Sequence, residues 1–173
     1  MPTIGVAIAV PEPFGEELRN HRASFGDLQA AAIPTHVTLL PPTDVDDAEL
    51  ARVQEQLERV AEKHHRFDMH LRGTATFRPV SPVVFVVISE GISECELLAE
   101  SVREELGGAY QPFPYHPHVT VAHDVSDEAL DLAYDTLSQY EARFSVDAFA
   151  LYVHDEMSGW VCERQLTLQG GAT

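Results

Sequence analysis

The chain carries its own outline twice. An apolar, β-branched segment opens at Ile4 and again at Val83, the tripeptide His-Val-Thr stands at His36–Thr38 and again at His118–Thr120, and a strand-like segment begins at Phe67 and again near Phe144. The separations are 79, 82 and 77 residues. They are close enough to constant for a degenerate internal duplication, while two copies are too few for a solenoid. This constrains the chain to an α+β fold of two pseudo-two-fold-related lobes, each a mainly antiparallel sheet with helices packed outside. Neither copy alone covers a sheet face, so the lobes are expected to share an interface where duplicated residues meet. The expectation is a single bilobal domain over residues 1–173, with copies at about 4–78 and 83–168 and an active cleft between the lobes.

Local signals fill in the outline. Ile4 to Val10 reads as a strand stopped by Pro11 and Pro13, and Phe14 to about Leu28 as a helix. The first His-Val-Thr strand follows Pro34 and is expected to end at Pro41 and Pro42. Asp46 with Glu49 resembles a capping box, and Leu50, Val53, Leu57 and Val60 follow at helical spacing. Phe67 to Phe77 reads as a strand with Gly73 at a bulge. The second copy repeats the order. Val83 to Ile88 is a strand, and Cys95, Leu98, Val102 and Leu106 mark a helix. Pro117 leads into the second His-Val-Thr strand, and Ser126 caps a helix with Asp127 and Glu128 in its first turn. Strands from about Phe144 to Val153 and from Trp160 to Leu168 finish the chain.

Composition narrows the class of function. With 28 acidic residues against 11 basic ones, a net charge of −17, the chain lacks the Lys and Arg that replace counterions along a long duplex. A small phosphorylated ligand held in one pocket is compatible with it. The apolar N-terminus has no basic flank and meets Pro11, Glu12 and Pro13, so it reads as a strand, not a signal peptide. No apolar run approaches the roughly 20 residues of a membrane span, so no membrane partner is expected and the cytoplasm is the expected compartment. Cys95 and Cys162 show neither metal spacing nor a disulfide framework and are read as buried free thiols. No glycine-rich triphosphate or dinucleotide loop is present, so no cofactor is expected.

The duplicated tripeptide carries the chemistry. Side chains alternate along a strand, so His36 and Thr38 point one way while Val37 and Leu39 point the other, and His118 with Thr120 repeats the arrangement. Two such polar faces across a two-fold axis suit displacement at phosphorus, which needs one proton removed from the entering oxygen and one given to the leaving oxygen. Imidazole titrates near neutrality and serves in either role. Thr hydroxyls donate to the non-bridging oxygens. A 2′,3′-cyclic phosphate supplies a strained leaving oxygen and needs no metal. His116, His118 and His123 invite a metal reading, but no carboxylate or Cys completes that set and Pro117 interrupts the strand, so no metal is expected.

With "HVTLL" at His36–Leu40 and "HVTVA" at His118–Ala122, the chain resembles the two-histidine phosphoesterase superfamily, in its 2′-5′ RNA ligase or RNA 2′,3′-cyclic phosphodiesterase (LigT-like) branch. The resemblance implies His36 and His118 as the acid/base pair and Thr38 and Thr120 on the phosphate. It implies a metal-independent phosphodiesterase acting on 2′,3′-cyclic phosphates or 2′-5′ linkages of nucleotides or RNA ends, with ATP-independent ligation as the reverse reaction. Members commonly place Arg or Lys five residues after the second motif histidine. Here that residue is His123, which strand parity puts on the face opposite His118 unless the strand bends. Arg78 is the alternative cation by placement, its other reading being a surface residue beside a turn. In the aromatic, proline-rich segment 109–118, Phe113 or Tyr115 is a candidate to stack on a nucleobase, with loop packing as the alternative. The expected partner is a small nucleotide or RNA end, not a long duplex, and a monomer is favoured. The competing function is a non-catalytic nucleotide- or RNA-end-binding module that retains the two-histidine cleft.

Overall fold

The structure is a computed structural model and describes residues 1–108 and 114–170. The strands are β1 (Thr3–Ala9), β2 (His36–Asp44), β3 (Phe67–Thr76), β4 (Val83–Glu90), β5 (Val119–His123), β6 (Glu141–Val146), β7 (Ala148–Asp155) and β8 (Gly159–Thr167). The α-helices are α1 (Phe14–Ser24), α2 (Leu50–Glu62), α3 (Ile92–Glu105) and α4 (Asp127–Thr136). Two four-stranded antiparallel sheets form, in the orders β2-β1-β7-β8 and β5-β4-β3-β6. This is the expected α+β, two-lobed architecture, with the two His-Val-Thr segments at corresponding edge strands.

The sheets do not follow the sequence halves. β3, which ends the first copy, lies beside β4, and β7 lies beside β1, so each sheet contains a strand from the other copy. The connection from Thr76 to Val83 is short enough to pair β3 and β4 as sequence neighbours, Thr76 opposite Val84. By place in the sheet the partner of Phe67 is Ala148, at a separation of 81, nearer to the other two landmarks than Phe144 is. The segment expected as one strand from Phe144 to Val153 divides at Asp147, where the chain leaves one sheet for the other.

Other boundaries shift for identifiable reasons. β2 continues through Pro41 and Pro42 because it is an edge strand, where a missing N–H costs no ladder bond, and the prolines sit in a register shift opposite Ile4–Val6. The first helix ends at Ser24, before Gly26 at φ +85°, and Asp27 then caps a 3-10 turn over Leu28–Ala31. The Asp46 capping box does not form; α2 begins at Leu50 after a 3-10 turn at Asp47–Glu49. Ser126 does cap α4, its Oγ accepting from the Ala129 N–H at 3.1 Å. Gly73, at φ +72°, occupies the irregularity between Leu71 and Thr74.

The main core draws on both sheets and all four helices. In β1 it takes Ile4, Val6 and Ile8, while Gly5 and Ala7 face the other way. On that second face Ala7, Ala150 and Tyr152 form a separate apolar cluster with Trp160 packed against it. Helices α1 and α3 cross between lobes, α1 against β5 and α3 against β2. Cys95 is buried in the core, whereas Cys162, expected to be buried, is exposed on β8.

Candidate active site

His36 is the first residue of β2, and His118 immediately precedes β5. Their rings are held alike. The Nδ1–H of His36 donates to the Pro34 carbonyl at 2.6 Å, and that of His118 to the His116 carbonyl at 2.7 Å. A carbonyl can only accept, so the proton of each neutral ring sits on Nδ1 and both Nε2 atoms are left for chemistry. Burial is the main force holding the His36 pKa below its ordinary 6.5; the Pro34 bond opposes it and the nearby Arg22 charge adds to it. Burial also lowers His118 first; its backbone bond opposes this, and His116 and His36 as neighbouring cations push it down further. The two motif histidines are therefore electrostatic neighbours.

A cleft of about 310 Å³ lies along β2 and β5. His36, Thr38, Thr120 and His123 line it together with Arg22. His118 stands beside this lining, its ring braced edge-on by Phe77 and Phe85 at centroid distances of 5.0 and 5.2 Å. The structure thus gathers both His-Thr pairs at one junction of the lobes. His123 joins them through a bulge that simple parity does not foresee. Thr120 pairs with Phe85 and Ala122 with Val84, so Val121 is the extra residue and His123, opposite Val83, returns to the Thr120 face. Its Nε2 lies 3.4 Å from the Asp124 carboxylate.

The remaining sequence candidates lie elsewhere. Arg78 pairs with Asp131 at 2.9 Å and reaches Thr76 Oγ1 at 3.3 Å; it does not line the cleft. Tyr115 packs against the core, and its hydroxyl donates to the Thr38 carbonyl at 2.6 Å. Burial pushes its phenol pKa up. That geometry makes it a strut behind β2, and it does not line the cleft that holds His36, Thr38 and Thr120. Phe113 lies outside the described residues. Among the described residues, no three His, Cys, Asp or Glu side chains gather in a metal-binding arrangement, and no helix is long and apolar enough to cross a membrane.

Two groups escaped the reading of the sequence. Arg22 on α1 is 7% exposed, and its Nε donates to Asp27 Oδ2 at 2.7 Å. Asp27 Oδ2 also accepts the His123 backbone N–H at 2.9 Å, and Oδ1 accepts that of Gln29 at 2.9 Å. One carboxylate therefore orients the guanidinium and ties α1 of one copy to β5 of the other. Nothing in the polar run around Arg22 signals this, because the partners that reveal it come from the fold. Trp160 and Tyr152 also line the cleft. Trp160 is the chain's single tryptophan, and that is the only mark it bears in the sequence.

Comparisons with known proteins bear on the fold and the family. A Geobacillus kaustophilus protein named "putative phosphoesterase" is 23% identical over 171 residues, covering 98% of each chain. A Bacillus mycoides protein with the same name is 28% identical over 124 residues, or 72% of this chain and 71% of its own. Escherichia coli LigT, crystallised with 3′-AMP, superposes with a TM-score of 0.70 at 18% identity, covering 97% of this chain and 99% of LigT. TT0787 of Thermus thermophilus superposes at 0.66 with 20% identity, covering 99% and 100% of the two chains. At these identities the superpositions establish the fold. The sequence profile of the 2′-5′ RNA ligase superfamily matches residues 10–157, and with that span covering most of the chain, the protein belongs to the 2′-5′ RNA ligase superfamily.

Proposed function

We propose that this protein is a metal-independent phosphodiesterase that opens 2′,3′-cyclic phosphates or 2′-5′ linkages of nucleotides and RNA ends by histidine acid–base catalysis. The observation that carries the reading is the matched pair of rings, each with Nδ1–H held by the carbonyl two residues upstream and Nε2 left free. For a cyclic phosphate, one neutral Nε2 takes a proton from water as its oxygen bonds to phosphorus. The P–O bond to one ribose oxygen breaks, and the other histidine, protonated, gives its Nε2 proton to that leaving oxygen. The ring is opened, no redox change occurs, and the two histidines end with exchanged protonation states. With a 5′-hydroxyl in place of water as the entering group, the same steps join two RNA ends without ATP; run backwards, they expel that 5′ oxygen and return the cyclic phosphate.

Thr38 and Thr120 are the hydroxyl donors to the non-bridging oxygens. Arg22 supplies the positive charge that the family places five residues after the second histidine, where this chain has His123. The net acidity of the chain leaves a buried, pre-aimed guanidinium as the local attraction for phosphate. LigT has been crystallised with 3′-AMP, ATP and NADP+, and that history in a protein of the same fold supports a small nucleotide in this cleft.

The test is hydrolysis of nucleoside 2′,3′-cyclic phosphates in the presence of a chelator. His36→Ala and His118→Ala are each expected to lose on the order of 10²- to 10⁴-fold in rate while keeping the far-UV circular dichroism of the parent. Wild-type rates in either folded variant would sink the mechanism. Binding without turnover by the parent protein would instead identify a nucleotide-binding module.

A further inference from the structure

We propose that the Trp160–Tyr152 face of the first sheet is the nucleobase subsite of the cleft, so that the substrate is a base-bearing nucleotide or RNA end and not any small cyclic phosphate. This deepens the phosphodiesterase reading and rests on it for the position of the phosphate.

Strand register puts the platform on the reacting face. Ala9 pairs with His36 and Ala7 with Thr38 on one side of β1, while Ala7 pairs with Ala150 and Gly5 with Tyr152 on the other. His154 pairs with Trp160 across β7 and β8. By alternation all of these share one sheet face, the face turned away from the core. An aromatic and apolar cluster there covers no part of the main core. The indole lies over β1: a Cβ built at Gly5 would stand 3.4 Å from Trp160 Cζ3, at van der Waals contact. Gly5 lies two residues along β1 from Ala7, the partner of Thr38, and four from Ala9, the partner of His36. At about 3.4 Å per residue and about 4.8 Å between strands, the backbone under the indole is roughly 8 Å from Thr38 and roughly 14 Å from His36, and one continuous cleft lining joins them.

The platform is pre-organised. Asp155 Oδ1 accepts the Met157 and Ser158 N–H groups, and Gly159, at φ +75°, ends the turn, as in a three-residue hairpin loop with a left-handed glycine. The Trp160 N–H then donates to the Ala32 carbonyl at 3.0 Å. Ala32 lies two residues before Pro34, whose carbonyl holds His36. The base platform and the first histidine are thus fixed by one segment. A second cavity continues from the cleft over Trp160 and Tyr152 toward Arg19, so the subsite is open at its far side and a nucleotide within a longer RNA end fits as well as a mononucleotide. Stacking on an aromatic face tolerates any base.

Because Trp160 is the sole tryptophan, its fluorescence reports the subsite directly. Titration of the wild-type protein with 3′-AMP is expected to quench it saturably, while inorganic phosphate at saturating concentration leaves it unchanged. In turnover, the preference in kcat/KM for adenosine 2′,3′-cyclic phosphate over the base-free methyl riboside 2,3-cyclic phosphate is expected to fall roughly 5- to 150-fold in Trp160→Ala and to be largely retained in Trp160→Phe. Absence of quenching by 3′-AMP, or an unchanged preference in folded Trp160→Ala, overturns the subsite. The two readings fail separately. Quenching by 3′-AMP together with full activity in His36→Ala keeps the subsite and removes the mechanism, and loss of activity in His36→Ala without quenching does the reverse.

Discussion

Asp27→Asn isolates what the junction between the lobes is worth. The carboxylate accepts from Arg22 Nε at 2.7 Å, the His123 N–H at 2.9 Å and the Gln29 N–H at 2.9 Å. An amide has one acceptor oxygen and turns an NH2 group toward at least one of those donors. It also leaves the Arg22 guanidinium without its counter-charge, in a pair whose side chains are only 8% and 2% exposed. Solvent screening is slight at that depth, so the cost is that of breaking a buried ion pair, about 3–5 kcal/mol. For a chain of this length the corresponding fall in Tm is on the order of 10 °C. Urea unfolding followed by circular dichroism measures the loss, and Trp160 fluorescence follows the cleft in the same samples. The double variant Arg22→Met/Asp27→Asn removes the stranded charge while the amide oxygen still accepts a backbone N–H, and is expected to recover part of the stability while losing activity, since the guanidinium is gone. An Asp27→Asn protein within about 1 kcal/mol of the parent, or a double variant no more stable than the single, would refute the reasoning.

Tyr115→Phe deletes the hydroxyl that donates to the Thr38 carbonyl; a loss of about 1 kcal/mol is expected, read as a lower urea midpoint at unchanged m, with a lower kcat as Thr38 loses its support. Stability should also depend on pH through His36 and His118. Both have folded pKa values held below 6.5, so the unfolded chain binds more protons as pH falls through and below about 6.5, and the folded state loses stability in that window. His64, lowered by burial first and by Lys63 and His65 after it, contributes in the same direction. Replacing His36 or His118 by Ala should flatten the dependence of the urea midpoint between pH 7 and pH 5, and an unaltered slope in both variants would count against the burial of these rings.

Much of the architecture is legible because it is periodic. The near-constant offsets of Ile4/Val83 and His36/His118 match the corresponding places of β1 and β4, and of β2 and β5, in the two sheets, and the helical spacing of Val53, Leu57 and Val60 marks a buried stripe the fold uses. Where the reading falls short, long-range contacts overrule a local rule. Pro41 and Pro42 do not stop β2, because it lies at a sheet edge. A single strand from Phe144 divides at Asp147, because its two ends pair with different partners. Tyr115 is an aromatic residue beside the motif in sequence, yet its ring is turned to the core.

The site divides along the same line. The amino-acid sequence by itself determines the pair of His-x-Thr strands and with it the class of chemistry, since alternation along a strand is local and survives any tertiary arrangement. Only the tertiary structure decides which cation and which aromatic line the cleft beside them. Arg22 is aimed by an aspartate that is bonded to a strand 96 residues away, His123 is turned inward by one bulged residue, and Trp160 lines the cleft with its ring lying over Gly5, two strands away. Each of these is a matter of register and packing between segments distant in the chain, and no local pattern encodes them.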